Sequence, residues 1–266
     1  MAISIATWNI NSVRLRIKMV ESFLTEYNPD ILCLQEIKCM NELFPAKAFE
    51  KLGYQYQAVN GQKGYHGVAT VSKIPLNDIY STDYCEMGDS RHISSRFKAG
   101  GKSIELHNFY VPAGGDVPDA TKNPKFDHKM RFVDEMRSLR ANTDNSHSIL
   151  VGDLNIAPHE NDVWSHKQLL KIVSHTPIET DALGLVFGEG GWTDLIRNKI
   201  PHEEKLFTWW SYRSPDWKKN NRGRRLDHIW GSSELAAVQS DLIVVSDARS
   251  WEKPSDHVPV ICALDL

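Results

Sequence analysis

The chain repeatedly sets a carboxylate, carboxamide, phenol or imidazole at the end of a short apolar run. Asn9 and Asn11 end the run 3–9, Glu36 follows Ile31-Leu32-Cys33-Leu34-Gln35, and Tyr110 closes a run that begins at Ser103. Asp153 and Asn155 follow Ile149-Leu150-Val151, Asp227 interrupts the apolar stretch 226–230, and Asp256-His257 precede Val258. Any one of these is an ordinary turn former or helix cap. Several together predict one polar rim on a shared sheet edge, where catalytic and ligand-binding groups collect.

The residue types indicate the chemistry. Carboxylate and carboxamide oxygens, without clustered thiols or several histidines, suit Mg²⁺ or Mn²⁺ rather than zinc. A hard ion with few protein ligands is matched to phosphate oxygens, while a positioned side chain orients or deprotonates the attacking water. Asp256 and His257 are neighbours, and in extended chain neighbouring side chains point to opposite faces. Asp227 is therefore the carboxylate expected to orient His257, fix its tautomer and favour the charged ring. Competing motifs fail. Gly101-Lys102-Ser103 lacks the upstream glycine of a phosphate loop, Arg96 standing there, and His159-Glu160 has Val163 where a zinc protease needs its second histidine. No G-x-S-x-G elbow occurs.

These groups need strands to carry them. β-branched or continuous apolar stretches predict strands at 3–9, 31–34, 54–59, 67–72, 92–99, 103–111, 149–151, 207–212, 225–230, 242–246 and 258–264. Helical spacing is read at Ile17, Val20 and Leu24, stopped by Asn28-Pro29, then at 45–52, at 127–142 and between 163 and 187. Gly100-Gly101 reads as a hairpin turn. Two β-rich blocks separated by helices, with no Pro/Gly/Ser-rich linker, predict an α/β fold of two packed sheets with helices outside, in one domain over 1–266.

Composition is that of a globular chain, 41% hydrophobic and 24% charged, which excludes a disordered or fibrous protein. The net charge of −3 argues against a protein that coats nucleic acid by bulk charge. No apolar run approaches the ~18 residues of a membrane span, and no basic stretch precedes the apolar start as in a signal peptide. With four cysteines lacking CxxC spacing and no N-x-S/T sequon, a cytoplasmic location is expected. One segment is suited to polynucleotide: Trp209-Trp210-Ser211-Tyr212-Arg213, Trp217-Lys218-Lys219, Arg222, Arg224 and Arg225 mix flat aromatics with cations.

The strings Thr7-Trp8-Asn9-Ile10-Asn11, Leu34-Gln35-Glu36, Asn108-Phe109-Tyr110-Val111-Pro112, Gly152-Asp153-Leu154-Asn155, Arg225-Leu226-Asp227-His228 and Ser255-Asp256-His257-Val258-Pro259 resemble, in order, the motifs of the exonuclease III family of bacterial AP endonucleases. The resemblance implies a four-layer, DNase I-like α/β sandwich. It also implies Mg²⁺-dependent hydrolysis of DNA, with Mn²⁺ substituting: cleavage 5′ to abasic sites, 3′–5′ exonuclease action on duplex DNA, and removal of 3′ phosphates. By position, Glu36 would be the principal metal ligand with Asn9, Asn11 and Asp256 around it. Asp153 and Asn155 would position water or phosphate, Tyr110 would contact the phosphate, and His257 with Asp227 would stabilise phosphoryl charge. Trp209 and Leu226 match positions that form a pocket for the abasic sugar, where Arg224 replaces an aromatic or aliphatic residue, and Lys125, in the loop after Pro112-Ala113-Gly114-Gly115, would be a further backbone contact. The expected partner is double-stranded DNA bearing abasic sites or 3′ ends, met by a monomer. The alternative is the same fold acting on RNA, inositol phosphate or phospholipid.

Overall fold

The computed structural model describes residues 2–143, 146–214 and 216–266. Its first sheet takes strands from both ends of the chain: β1 (Ala2–Asn9), β2 (Ile31–Gln35), β3 (Tyr56–Asn60), β4 (Val68–Ser72), β12 (Gln239–Val244) and β13 (Val260–Asp265), in the order β12-β13-β1-β2-β4-β3. The second is built from the middle: β5 (Asn77–Tyr80), β6 (His92–Ala99), β7 (Lys102–Tyr110), β8 (Asn142–Thr143), β9 (Ser146–Asp153), β10 (Thr193–Asp194) and β11 (Asp227–Gly231). Its order is β10-β11-β9-β7-β6-β5, with β8 pairing β9. The two β-rich blocks of the sequence thus do not map one to one onto sheets, because the last strands return beside β1.

Both sheets repeat one pairing pattern. Each has a single parallel pair, β1 with β2 and β7 with β9, flanked on both sides by antiparallel neighbours. The carboxyl ends of those parallel pairs carry the polar residues. Asn9 lies opposite Gln35, while Tyr110 and Asp227 both lie opposite Asp153. Asp227 opens β11 instead of interrupting a strand from Leu226, which is why it sits on the rim.

Period-two alternation fills three apolar layers. Ile3, Ile5, Ile31, Cys33, Phe97, Leu106, Ile149, Val151, Ile229 and Cys262 pack between the sheets. From the other face of the first sheet, Trp8, Leu32 and Leu34 meet α1 (Ile17–Tyr27), which buries Met19, Val20, Phe23 and Leu24, and Phe49 of α2 (Ala46–Glu50). Phe109, Leu150 and Trp230 of the second sheet meet α3 (Pro124–Glu135) and later α5 (Pro177–Gly190) through Phe132, Val133, Leu183 and Val186. Helix, sheet, sheet, helix is the four-layer arrangement expected. The described residues include no helix long and apolar enough to cross a membrane.

Several local expectations change. The helix read over 127–142 starts earlier, at Pro124, where Asn123 caps the Lys125 amide, and ends in a 3₁₀ turn at Met136–Ser138. Between 163 and 187 lie α4 (His166–Leu169) and α5, which runs on to Gly190 and stops at the left-handed Gly191. Asn28 ends α1 in the left-handed region, not the extended one favoured before proline. The aromatic stretch 207–212 is no strand. Trp209 makes only isolated bridges, to Arg224 on one side and His257 on the other. The edge strand β5 was not anticipated, because its four residues are all exposed and show no apolar alternation.

Candidate active site

Glu36 leaves β2 in a left-handed conformation (φ 51°), and Asn11, Lys38 and Asn155 adopt similar φ values of 47°, 51° and 54°. Such backbone costs an L-residue about 1–3 kcal/mol and is held only where surroundings enforce it. Here they do. The Asn9 amide donates to Glu36 Oε1 at 2.9 Å, and Lys38 Nζ reaches Glu36 Oε2 at 2.8 Å and Asn11 Oδ1 at 2.6 Å. Asp256 Oδ1 accepts from Asn11 Nδ2 at 3.2 Å and its Oδ2 from Trp209 Nε1 at 3.0 Å. Burial raises the Glu36 carboxyl, but Lys38 and the Asn9 hydrogen bond outweigh it and hold the group below its ordinary range. Two hard oxygens therefore converge on a cation already, the Lys38 ammonium, and the donor set of Glu36, Asn11 and Asp256 fits a hard divalent ion.

Across the seam between sheets, Asp153 is fully buried, and its Oδ2 accepts from Asn9 Nδ2 at 2.9 Å and from Asn155 Nδ2 at 3.2 Å. His257 Nδ1 lies 2.8 Å from Asp227 Oδ2, and its Nε2 3.6 Å from Asp153 Oδ2. Burial alone would discharge the imidazole; Asp227 and Asp153 overcome this and raise it to about 10. Burial also pushes Asp153 up to about 7, against the lowering effect of His257 and Asn9. Asp227 Oδ1 is buried without a partner. One ligand atom from each of Asp153, Asp227 and His257 falls within 4.8 Å of the others, a group that could hold a metal ion. Both ring nitrogens face carboxylates, so a proton is the simpler occupant. Burial, then the Glu36 and Asp153 charges, push the Tyr110 phenol well above its ordinary value and keep it a hydrogen-bond donor. Arg91 stacks on that ring at 4.9 Å and is pinned by Asp89 at 2.9 Å.

Glu36, Tyr110, Asp153, Asn155, Asp256 and His257 line one cavity of about 960 Å³, which Trp164, Leu169, Val173, Trp209, Arg224 and Leu226 extend away from the polar floor. Arg224 lies in this wall, its guanidinium 5.3 Å from the Trp209 ring centre. Lys125 does not. It is exposed in the first turn of α3, not in a loop, and its side chain runs beside Gly115.

Sequence reasoning missed the buried charges beneath the site. Lys129, wholly buried, pairs with Glu179 at 2.5 Å and donates to the carbonyl of Asn155 at 2.8 Å, which anchors the turn after β9. Asp162 receives Arg225 at 2.9 Å and Arg197 at 2.5 Å, and Arg225 also holds Asp194 at 2.7 Å, fixing the entry to β11. Across the sheets, Asn108 Oδ1 accepts from Gln35 Nε2 at 2.8 Å and Asn108 Nδ2 donates to the carbonyls of Leu34 and Ala69. The one available signal was Thr176-x-x-Glu179, a capping box that marks Glu179 as a backbone ligand.

Residues 6–257 match the family model described as the Endonuclease/Exonuclease/phosphatase family. The chain belongs to that family, in its exodeoxyribonuclease III branch. Exodeoxyribonuclease III of Haemophilus influenzae is 33% identical over 96% of this chain and 97% of its own length. An AP endonuclease from Archaeoglobus fulgidus superposes with a TM-score of 0.90 at 32% identity, covering 99% of this chain and 100% of its own. The 3′ phosphatase NExo from Neisseria, bound to a product DNA hairpin, superposes at 0.86 with 30% identity, covering 99% and 100%. The two-sheet fold is that of these family members, and membership makes the chain an ester hydrolase.

Proposed function

We propose that this chain is a Mg²⁺-dependent DNA-repair phosphodiesterase that cleaves 5′ to abasic sites, trims 3′ ends of duplex DNA and clears 3′ phosphates. One observation carries the reading: Asn9 joins the metal-suited Glu36 cluster to the Asp153–His257–Asp227 cluster on the floor of a cavity wide enough for a nucleotide. A dication held by Glu36, with Asn11, Asp256 and Asn9 about it, would supply Lewis-acid polarisation of the phosphoryl oxygens. Mn²⁺ would meet the same donors.

The protein's own groups divide the remaining work. His257 has both ring nitrogens directed at carboxylates and stays protonated, so it serves as a cation toward developing phosphoryl charge, not as a base. Asp153, raised to about 7, is left as the acceptor for the proton of the attacking water, with Asn155 aligning it. The Tyr110 hydroxyl donates toward the phosphate. Water's oxygen bonds to phosphorus as the P–O3′ bond breaks, and a proton passes to the leaving 3′ oxygen. The cavity offers aromatic and cationic walls to a backbone and an extruded sugar, so recognition rests on shape and ease of flipping, without base sequence. The shared core between the sheets supports a single working domain.

Incubating the protein with a duplex containing one tetrahydrofuran abasic analogue tests this. A single nick 5′ to the analogue is expected with Mg²⁺ and none in EDTA. Equal nicking in EDTA, or hydrolysis of soluble phosphomonoesters in place of DNA, overturns it.

A further inference from the structure

Arg16, the residue before α1, is 9% exposed, yet its hydrogen bonds to described residues all end on neutral oxygens. Nη1 donates to the Asn11 carbonyl, Nη2 to the Pro254 carbonyl at 3.0 Å and to Tyr212 Oη at 2.9 Å, and Nε to the Lys253 carbonyl at 3.0 Å. Tyr212 Oη in turn donates to the same Pro254 carbonyl at 2.8 Å. One guanidinium thus ties the turn after β1 to the segment that leads into Asp256. That backbone needs holding: Asn11, Ser12 and Lys253 have φ values of 47°, 86° and 51°, a region that L-residues keep only where their surroundings enforce it. The two segments meet through their side chains, Asn11 Nδ2 donating to Asp256 Oδ1 at 3.2 Å. The other donor to Asp256 is Trp209 Nε1, so both are neutral and the carboxylate keeps its charge for a cation.

We propose that Arg16 is a positioning residue for the dication, holding the Asn11–Asp256 side of the Glu36 cluster at ligand spacing without occupying a ligand oxygen. This rests on the reading of that cluster as a metal centre. A buried cation facing only neutral acceptors is costly, and a rigid fork of five donors is what several diverging carbonyls require in return. Groups behind metal ligands fix the orientation of those ligands, and losing one weakens the metal by about 10–100-fold. Arg16 acts on the backbone of two ligand-bearing segments, so its loss loosens both together. A small hard ion demands near-ideal geometry, and the defect therefore shows in metal affinity before it shows in the reaction at saturating metal. An arginine here exerts two opposed effects: its charge repels a dication, and its fork orders the oxygens that bind one. Arg16→Lys keeps the charge and loses the fork, whereas Arg16→Gln loses the charge as well. Were charge the whole role, Arg16→Gln would bind the ion more tightly; ordering by the fork makes both variants bind it more weakly.

The test measures Mn²⁺ binding without DNA, from the electron paramagnetic resonance signal of the free ion, and turnover of the abasic duplex across Mg²⁺ concentrations. Arg16→Lys and Arg16→Gln should both bind Mn²⁺ about tenfold more weakly than the unaltered protein. Half-saturating Mg²⁺ should rise by a similar factor, while kcat at saturating Mg²⁺ stays within about threefold of the native value. Unchanged Mn²⁺ affinity in Arg16→Lys, or tighter binding in Arg16→Gln, overturns the proposal. So does a kcat lowered at every Mg²⁺ concentration with half-saturation unmoved, the mark of an arginine that only supports the fold. Should Arg16→Lys not fold, Tyr212→Phe decides, because it withdraws one acceptor from the guanidinium and one donor from Pro254. Weaker Mn²⁺ binding is expected there, and native affinity overturns the proposal. Glu36→Ala separates the two levels of the argument. If it leaves Mn²⁺ affinity unchanged, the metal reading of the cluster falls and this inference with it; weaker binding in Glu36→Ala beside native binding in Arg16→Lys sinks this inference alone.

Discussion

Asn9 donates through a single Nδ2 to Glu36 Oε1 and to Asp153 Oδ2, each at 2.9 Å. Glu36 belongs to the first sheet and Asp153 to the second, so one carboxamide nitrogen gauges the distance between the two acidic clusters. Asn9→Ala removes the gauge and leaves the buried Asp153 and the partly buried Glu36 each short of a donor. Activity on the abasic duplex should fall by about 10²-fold, the scale for misplacing reacting groups, while Asn9→Asp, which sets three carboxylates together, should fall further. Single-turnover rates at saturating Mg²⁺ check both.

In the proposed mechanism Asp153 and His257 both act on the reacting phosphate. Asp153→Asn and His257→Ala should each lower kcat by roughly 10²–10⁴-fold, as for loss of a general base or an electrostatic stabiliser, with DNA affinity nearly unchanged. Filter binding beside turnover measurements separates the two effects, and a parallel loss of affinity would move these residues into binding.

Asp227 sets the protonation of His257. In the native enzyme the ring, raised to about 10, stays cationic through neutral pH and loses its proton only on the alkaline side. Without the Asp227 charge, burial is opposed only by Asp153 and Asp256, so the ring's pKa falls from its native value. Asp227→Asn should therefore show an alkaline decline in activity that begins at lower pH than in the native enzyme, with the acid limb set by Asp153 retained. A pH–rate profile of the variant that parallels the native one would remove Asp227 from this role.

The Asp162–Arg197–Arg225 cluster predicts a pH effect on stability. Burial raises the Asp162 carboxyl, but the two guanidiniums overcome it and hold the group far below the ordinary carboxylate range. A folded pKa below the unfolded one stabilises the native state above about pH 3.9, and that contribution fades as pH falls toward the folded pKa. Asp162→Asn, which strands two buried cations, should cost about 3–5 kcal/mol at pH 7. The gap from the native protein should narrow below about pH 4. Urea unfolding at both pH values reads it.

Asn108 crosses between the sheets to Gln35 and to the carbonyls of Leu34 and Ala69. Asn108→Leu orphans those groups and should destabilise by about 1–3 kcal/mol for each one left unmade. Asn108→Asp, which cannot donate, should be no better. Thermal melting of both variants tests the point.

The rim of the site was legible because its residues break apolar strands with oxygen and nitrogen ligands. Glu36 after a five-residue buried strand and Asp153 after Val151 stand out against their neighbours. Stretch 207–212 misled because aromatic density imitates a strand, while its Trp209 serves as a bridge between Arg224 and His257. Lys129 and Asp162 were missed, and Arg225 was read as a cation facing polynucleotide, because a charged residue in sequence is presumed to face water. Only three-dimensional pairing shows that each is buried with its opposite. Lys125, read as lying in a loop, is instead exposed in the first turn of α3, where the Asn123 side chain caps its amide.

The layer of Ile5, Ile31, Ile149, Val151 and Ile229 touches no reacting atom, yet it sets how the two sheets rest on one another. A slip by a single residue along a strand is ~3.3 Å, more than the whole span from Asn9 to either acid. Turnover is thereby made hostage to hydrocarbon shape: trimming a methyl group in that layer should slow the enzyme before it unfolds it, so that reduced catalysis in a stable protein would be the mark of a repacked interior.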